Sequence, residues 1–425
     1  MSRRSRKTKL LGSLLHMMSK KRSIFWPPTE GFILDRFITD RAAGLVNNTS
    51  AEPGPGTRMI VDTDSKISIA SGQLRIDTTH KQSLSDPSIY YQQPIERVAG
   101  KMLFFRMTVG SGVANVNISL CSDTTTVWYD IGGLVLNNYT PSSSLYFGSG
   151  ASPIVVDWNL DPGVEHIFCM VLGNIGGYLF RLIDSKWEFV MHTIFCGCSS
   201  PLYVVVNVYD SDNTTYFDDI QIAQTLWLPT PCAYDSFQRS DGNLGSTENN
   251  GPDDQPITPL SWNVQAGSVQ ISSNAAKATS LSGGKAIATV NVNNSNVIVV
   301  SRIKTSVGGI IVRYSDINNY WYAKWDGDYI KLIKRVGGVE STVINLDWPW
   351  PPDDDYEIGI VADGEHWVLY YGGNWIDEAW DSDLINNTKV GMYFINTSSS
   401  LYCFEAWPKG KEDQYDELFT IWPES

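Results

Sequence analysis

The chain has 425 residues, enough for two domains with cores of their own, and is 42% hydrophobic but only 18% charged. Its net charge is −14, yet residues 1–29 carry eight Lys or Arg and no acid, so the remainder holds −22. A body that acidic repels phosphate backbones, which excludes a general nucleic-acid-binding role outside those first residues, and no segment reads as a long charged amphipathic helix.

Read in chain order, the first segment is a basic arm, residues 1–30. Arg3, Arg4, Arg6, Lys7 and Lys9 precede an apolar run, Leu10 to Met18, and Lys20, Lys21 and Arg22 follow it. The run includes Gly12, Ser13 and His16 and falls well short of a membrane span. It lacks a small-residue cleavage site, so a disordered arm, or a docking arm that grips a neighbouring subunit, is expected ahead of a secretion signal. Pro27-Pro28 marks entry into the folded part.

An opening pattern then occurs twice, about two hundred residues apart. The first copy reads Asp35-Arg36-Phe37, Asp40 and Gly44-Leu45; the second reads Asp235-Ser236-Phe237, Asp241-Gly242 and Leu244-Gly245. Each leads through a polar loop into a short alternating run, Ile67 to Ile76 and Val269 to Ala278, broken at a turn-prone Gly72 or Asn274. A repeat of that length is a duplicated domain.

The first domain is expected over residues 31–230. Its strand candidates are short and frequent: Met102 to Val109, Val113 to Leu120, Ile154 to Val156, His166 to Val171, Tyr178 to Ile183, Trp187 to Met191, Leu202 to Val208 and Tyr216 to Ile222. Pro229 to Pro231 is too short for a flexible tether. The second domain, residues 231–408, has a cleaner rhythm, with hairpin turns at Asp326-Gly327, Gly337-Gly338 and Asp363-Gly364. Residues 409–425 form a tail. Regular strands with polar turns indicate an all-β antiparallel sandwich, twice over. Of the six cysteines, Cys196-Gly197-Cys198 is too closely spaced for a zinc knuckle; buried free thiols are expected, with disulfides as the alternative.

The ordering of these segments resembles the concanavalin A-like (laminin-G, lectin and glucanase) jelly roll. The residues that carry the likeness are the Asp-x-Phe openings, Asn319-Tyr320-Trp321-Tyr322 through Leu332, Ala362 to Trp367, Val390-Gly391-Met392-Tyr393 and the closing Tyr216-Phe217-Asp218-Asp219-Ile220. The resemblance implies two packed sheets per copy with opening and closing strands side by side. It also implies a Ca²⁺ near that junction in the first copy, at Asp35 with Asp218 or Asp219. The second copy closes with Tyr402-Cys403-Phe404-Glu405 and departs from that pattern.

Such folds host both hydrolases and lectins. The Glu-x-Asp-x-x-Glu run of related glucanases is absent; Glu188 is isolated, and Asp353 to Asp355 reads as a solvated turn. The chain has 15 Trp and 20 Tyr, more than most cores require. Trp321 and Trp325 share one face of their strand and Tyr320 and Tyr322 the other, so one pair is expected in the core and one on an open sheet. Trp321, Trp325, Trp367, Tyr370, Trp375 and Trp380 are the candidate sugar-stacking residues, each with core packing as its alternative. The expected function is a non-catalytic glycan-binding or adhesive module on a virion, phage or other extracellular surface, with a cell-surface polysaccharide as partner. A glucan hydrolase and a decoration protein without ligand are the alternatives.

Overall fold

The computed structural model describes residues 33–409, apart from 53, 79–86, 111–114, 123–132, 140–143, 149–153, 158–159, 175, 184–185, 194–200, 210–212, 225–227, 305–307, 348–354 and 372–373. Alternating apolar residues make strands here, and the strands form four sheets in which each pairing is antiparallel. Sheet I runs Lys186–Thr193, Gly177–Ile183, Glu165–Leu172, Lys101–Val109, Thr214–Gln224, Gln73–Asp77 and Ile67–Ala70, with Leu34–Asp35 beside Thr214–Gln224. Sheet II packs against it and runs from Ile154–Asp157 through Asn115–Cys121 and Tyr203–Tyr209 to Thr49–Ser50. Sheet III contains Ser268–Ile271, Ala276–Ser280, Ser400–Pro408, Val297–Lys304, Asp355–Asp363, His366–Tyr371 and Asn374–Trp380, with Ala233–Asp235 beside Ser400–Pro408. Sheet IV runs Asn263–Ala266, Ala286–Asn291, Lys389–Phe394, Gly308–Asp316, Asn319–Trp325, Tyr329–Val336 and Val339–Asp347. The protein is therefore all-β, two β-sandwiches in tandem. No described helix is long and apolar enough to cross a membrane.

The duplicated opening has a structural cause. In each copy the chain turns through a left-handed Phe, Phe37 at φ 53° and Phe237 at φ 56°. Phe is an unfavourable residue there. A buried carboxylate two residues earlier compensates: Phe37 N–H donates to Asp35 Oδ1 at 3.1 Å and Phe237 N–H to Asp235 Oδ1 at 2.9 Å. The next acid holds the tip of the following hairpin, with Ser71 N–H on Asp40 at 2.8 Å and Ser273 N–H on Asp241 at 2.9 Å. The tips are left-handed pairs, Ser71-Gly72 and Ser273-Asn274.

The two sandwiches share a packed boundary. On sheet III, Ile298, Val361, Val368, Tyr370 and Trp407 face away from their own core and join the apolar cluster of the first sandwich. Trp407 meets Tyr178 edge-on at 5.7 Å and Phe189 at 5.4 Å. The loop around Asp253 reaches back as well: Tyr178 O–H donates to Asp253, and Gln255 Nε2 donates to Tyr178 Oη at 2.7 Å and to the Pro229 carbonyl at 2.9 Å.

Cys121 and Cys169 are buried and outside any disulfide, as expected; Cys232 and Cys403 are outside any disulfide but half-buried, and Cys196 and Cys198 lie outside the described residues.

Candidate functional site

Strand alternation sends Trp321, Trp325, Ile330 and Leu332 of sheet IV inward, where they meet Trp367, Leu369 and Tyr371 of sheet III. Trp321 and Trp367 are fully buried and stack at 4.1 Å with ring planes 21° apart. A cation closes each end of the stack: Arg313 lies 4.5 Å from the Trp367 ring and Lys334 5.7 Å from the Trp321 ring. The 381–383 turn caps the edge, the two indole N–H groups donating to the Asp383 carbonyl at 3.0 Å and the Asp381 carbonyl at 2.9 Å. Lys334 bonds to Asp381 and, at 2.8 Å, to Asp383. Burial without a bonded carboxylate pushes Arg313 down to about 10. Trp321 and Trp367 are thus core residues whose ring faces are taken, and Trp325 is likewise buried in the core, edge-on to Tyr356.

The opposite face of the same strand carries the other pair. Tyr320 and Tyr322 join Tyr314, Tyr393, Ile287, Ile311 and Ile333 in a second cluster on the side of sheet IV turned from the core. Sequence reasoning placed Tyr320 and Tyr322 as the alternative pair but missed Tyr314 and Tyr393, which sit on neighbouring strands. Their rings pack on one another, Tyr314 on Tyr320 at 5.7 Å and Tyr322 on Tyr393 at 4.5 Å, and all four are buried. Lys285 Nζ donates to Tyr320 Oη at 2.7 Å. Burial holds these phenols protonated, Tyr393 pushed up to about 12.

Tyr370 faces the first sandwich and is buried there. The Trp375 side chain lies outside the described residues. Trp380 differs from all of these, being 65% exposed. It ends the edge strand Asn374–Trp380, directly opposite His366. The two rings stack at 4.9 Å and 25°. His366 Nε2 in turn lies 3.0 Å from Glu378 Oε2. One indole face is therefore backed by an imidazole, with a carboxylate beside it. That arrangement offers an apolar plate with polar groups at its edge, the chemistry that takes a saccharide ring.

The acids expected to hold calcium are not arranged as cation ligands. Asp35 Oδ1 accepts from Arg58 Nη2 at 2.6 Å and from the N–H groups of Phe37 and Glu52. Its Oδ2 accepts from Arg58 Nε at 2.6 Å and from Tyr91 O–H at 2.9 Å. Asp219, at a bulge with φ 49°, faces Arg36 Nε at 3.1 Å and Arg106 Nε at 3.4 Å. Burial pushes the carboxyls of Asp218 and Asp219 upward, against the pull of these arginines. Guanidinium groups sit against the oxygens of Asp35 and Asp219, an arrangement unlike the clustered oxygen shell that Ca²⁺ takes. Among the described residues, no group of three or more His, Cys, Asp or Glu could hold a metal. In the second copy Arg239 and Trp262 Nε1 play the same part around Asp235.

One further set of acids went unnoticed in the sequence. Glu405 on Ser400–Pro408 lies between the sandwiches, with His192 Nδ1 at 3.1 Å and Trp407 Nε1 at 2.9 Å. These partners hold its carboxyl below the usual range despite burial. Glu357 lies two strands away across Arg302, and burial together with the nearby Glu405 charge pushes it up to about 7.

No protein-family model matches the chain, and neither does any curated protein. Among solved structures it is similar to the carbohydrate-binding module CBM66 from Bacillus subtilis, at 17% identity over 34% of this chain and 94% of that one, TM-score 0.31. A protein described among endo-acting O-glycanases of the human gut microbiota matches at 10% identity over 48% of this chain and 99% of that one, TM-score 0.36. The lumenal domain of VIP36, in a form bound to Ca²⁺ and Man3GlcNAc, matches at 11% identity over 41% of this chain and 86% of that one, TM-score 0.33.

Proposed function

We propose that this chain is a non-catalytic glycan-binding or adhesive module of a virion or other extracellular surface. In this reading residues 31–230 and 231–408 are its two domains, and the 1–30 arm contacts a neighbouring subunit. The observation that carries it is Trp380: an indole 65% exposed on a rigid edge strand, backed by His366 and flanked by Glu378. Exposing so large an apolar ring costs hydration free energy, which a stacked sugar would recover.

Glu357 and Glu405 have the electrostatic sign of an acid and base pair, one carboxyl pushed up and the other down. Glu405 is closed in by His192 and Trp407, so a polysaccharide does not reach it, which supports binding over hydrolysis. The test is a glycan array with the full chain, run beside product analysis of the same polysaccharides. Retention without cleavage, weakened at least about tenfold (~1.4 kcal/mol) by Trp380→Ala, is expected. Cleaved products, or binding indifferent to Trp380→Ala, would refute the proposal.

A further inference from the structure

The boundary between the sandwiches holds ionisable groups where an ordinary domain contact is apolar. Glu405 on Ser400–Pro408 is 4% exposed and meets His192, 6% exposed, on Lys186–Thr193. The imidazole is held between two rings, Tyr178 at 4.8 Å and Trp407 at 4.9 Å. Its Nε2 is buried and finds no hydrogen-bond partner among the described residues. On the same face of sheet III, Arg302 stands between Cys403 and Glu357 in strand register. The Cys403 thiol lies 3.6 Å from Glu405 Oε1 and is held protonated by burial and by that carboxylate. From the adjoining strand Ala233–Asp235, Tyr234 feels both Glu405 and Cys403 and is likewise held protonated by burial. Tyr178 is kept neutral by burial and by Asp253. At the rim, Lys409 Nζ lies 3.6 Å from Glu188.

We propose that this contact is a proton-operated latch between the two sandwiches, closed while Glu357 is neutral and loosened when Glu357 and Glu405 are both ionised. This goes beyond glycan binding and does not depend on it. One guanidinium, Arg302, and one imidazole lie among two carboxylates, so ionising the second brings like charges together at a boundary where Glu405 is buried and Glu357 half-buried. The sign follows from Glu357. Its carboxyl is pushed up to about 7 from an ordinary 4.5, so the closed state retains a proton that an exposed Glu releases. The Glu357 contribution to closure is therefore fully present at and below the lower value and is lost as pH climbs through the upper one. The latch also governs the surroundings of Trp380, because Asn374–Trp380 lies against Ile154–Asp157 of the first sandwich.

Hydroxyl-radical footprinting of the full chain tests this, reading Trp407 and Tyr178 at the boundary and Trp321 as a control inside the second core. From about pH 5.5 to about pH 8.5, labelling of Trp407 and Tyr178 is expected to rise at least about tenfold while Trp321 stays protected. Glu357→Gln, which cannot ionise, is expected to stay protected at both values. His192→Gln, which leaves Glu405 without its imidazole, is expected to be labelled already at the lower pH. The proposal is overturned by a flat wild-type profile, by the same rise in Glu357→Gln, by a protected His192→Gln, or by Trp321 labelling that rises in step with Trp407.

Discussion

Trp367→Ala removes the centre of the four-layer stack and so tests whether the aromatic surplus of the second domain supports the fold. The indole is fully buried, in contact with Trp321 at 4.1 Å and Arg313 at 4.5 Å, and donates to the Asp381 carbonyl. Truncating a buried Trp to Ala costs about 3–5 kcal/mol in lost transfer and cavity. The stacked neighbour adds roughly 0.5–1.5 kcal/mol and the cation over the ring about 1–2 kcal/mol. These terms share one cavity and are not additive, so about 4–6 kcal/mol is the expected loss. Against a domain stability of about 5–15 kcal/mol, that leaves the second sandwich marginal. Urea unfolding followed by circular dichroism at neutral pH measures it, with Trp380→Ala, whose ring is exposed, expected within about 0.5 kcal/mol of wild type. A Trp367→Ala loss under about 2 kcal/mol would refute the argument, since it would mean the stack is not a support.

Four other outcomes are expected. Arg58→Leu leaves the Asp35 carboxylate buried without its guanidinium and should cost about 3–5 kcal/mol by urea titration; added Ca²⁺ or chelator should leave the wild-type melting temperature unchanged, because Arg58 and Tyr91 already fill the Asp35 oxygens. Glu405, whose carboxyl is held below 4.5, contributes stability that is fully present above that value and is lost as pH falls through the depressed one; Glu405→Gln should flatten the acid limb of a thermal-stability profile, and an unchanged limb would remove Glu405 from the account. Gly391→Ala and Gly309→Ala would drive a Cβ into the Ala288 and Ala323 carbonyls of adjacent strands, so each should cost more than about 1 kcal/mol by chemical denaturation, with sheet IV losing amide protection first.

The repeat was legible because the same residues do the same work in both copies: Asp35 and Asp235 each bond a Phe N–H two residues ahead, and Asp40 and Asp241 each hold a hairpin tip. Strand rhythm was legible for the same reason, since alternation is a property of the strand alone. Choosing between the faces of Asn319–Trp325 was not, because both faces are aromatic and the choice depends on what the opposing sheet presents; Trp367 settles it by stacking on Trp321. The calcium expectation rested on Asp35 and could not anticipate Arg58, 23 residues away in sequence, arriving beside it. The boundary left a fainter signal. Ile358 to Ala362 and Trp367 to Tyr371 are nearly continuous apolar runs, and such a strand must be covered on both faces. Val361, Val368 and Tyr370 are the second-face residues. Glu357, just before the first run, and Glu405, on the closing strand, are single acids, with nothing in the sequence to pair either with His192.

The loop that carries Asp253 and Gln255 changes what the covalent connection between the sandwiches is for. Gln255 binds the Pro229 carbonyl and the Tyr178 hydroxyl together, so the linker is fastened to surfaces that already adhere through Trp407, Phe189 and His192. The peptide bonds at 229–231 then set the local concentration of one half near the other rather than holding them in place. A chain nicked there should stay in one piece through gel filtration, and the two halves, made as separate polypeptides in one cell, should find each other and form the same pair of sandwiches.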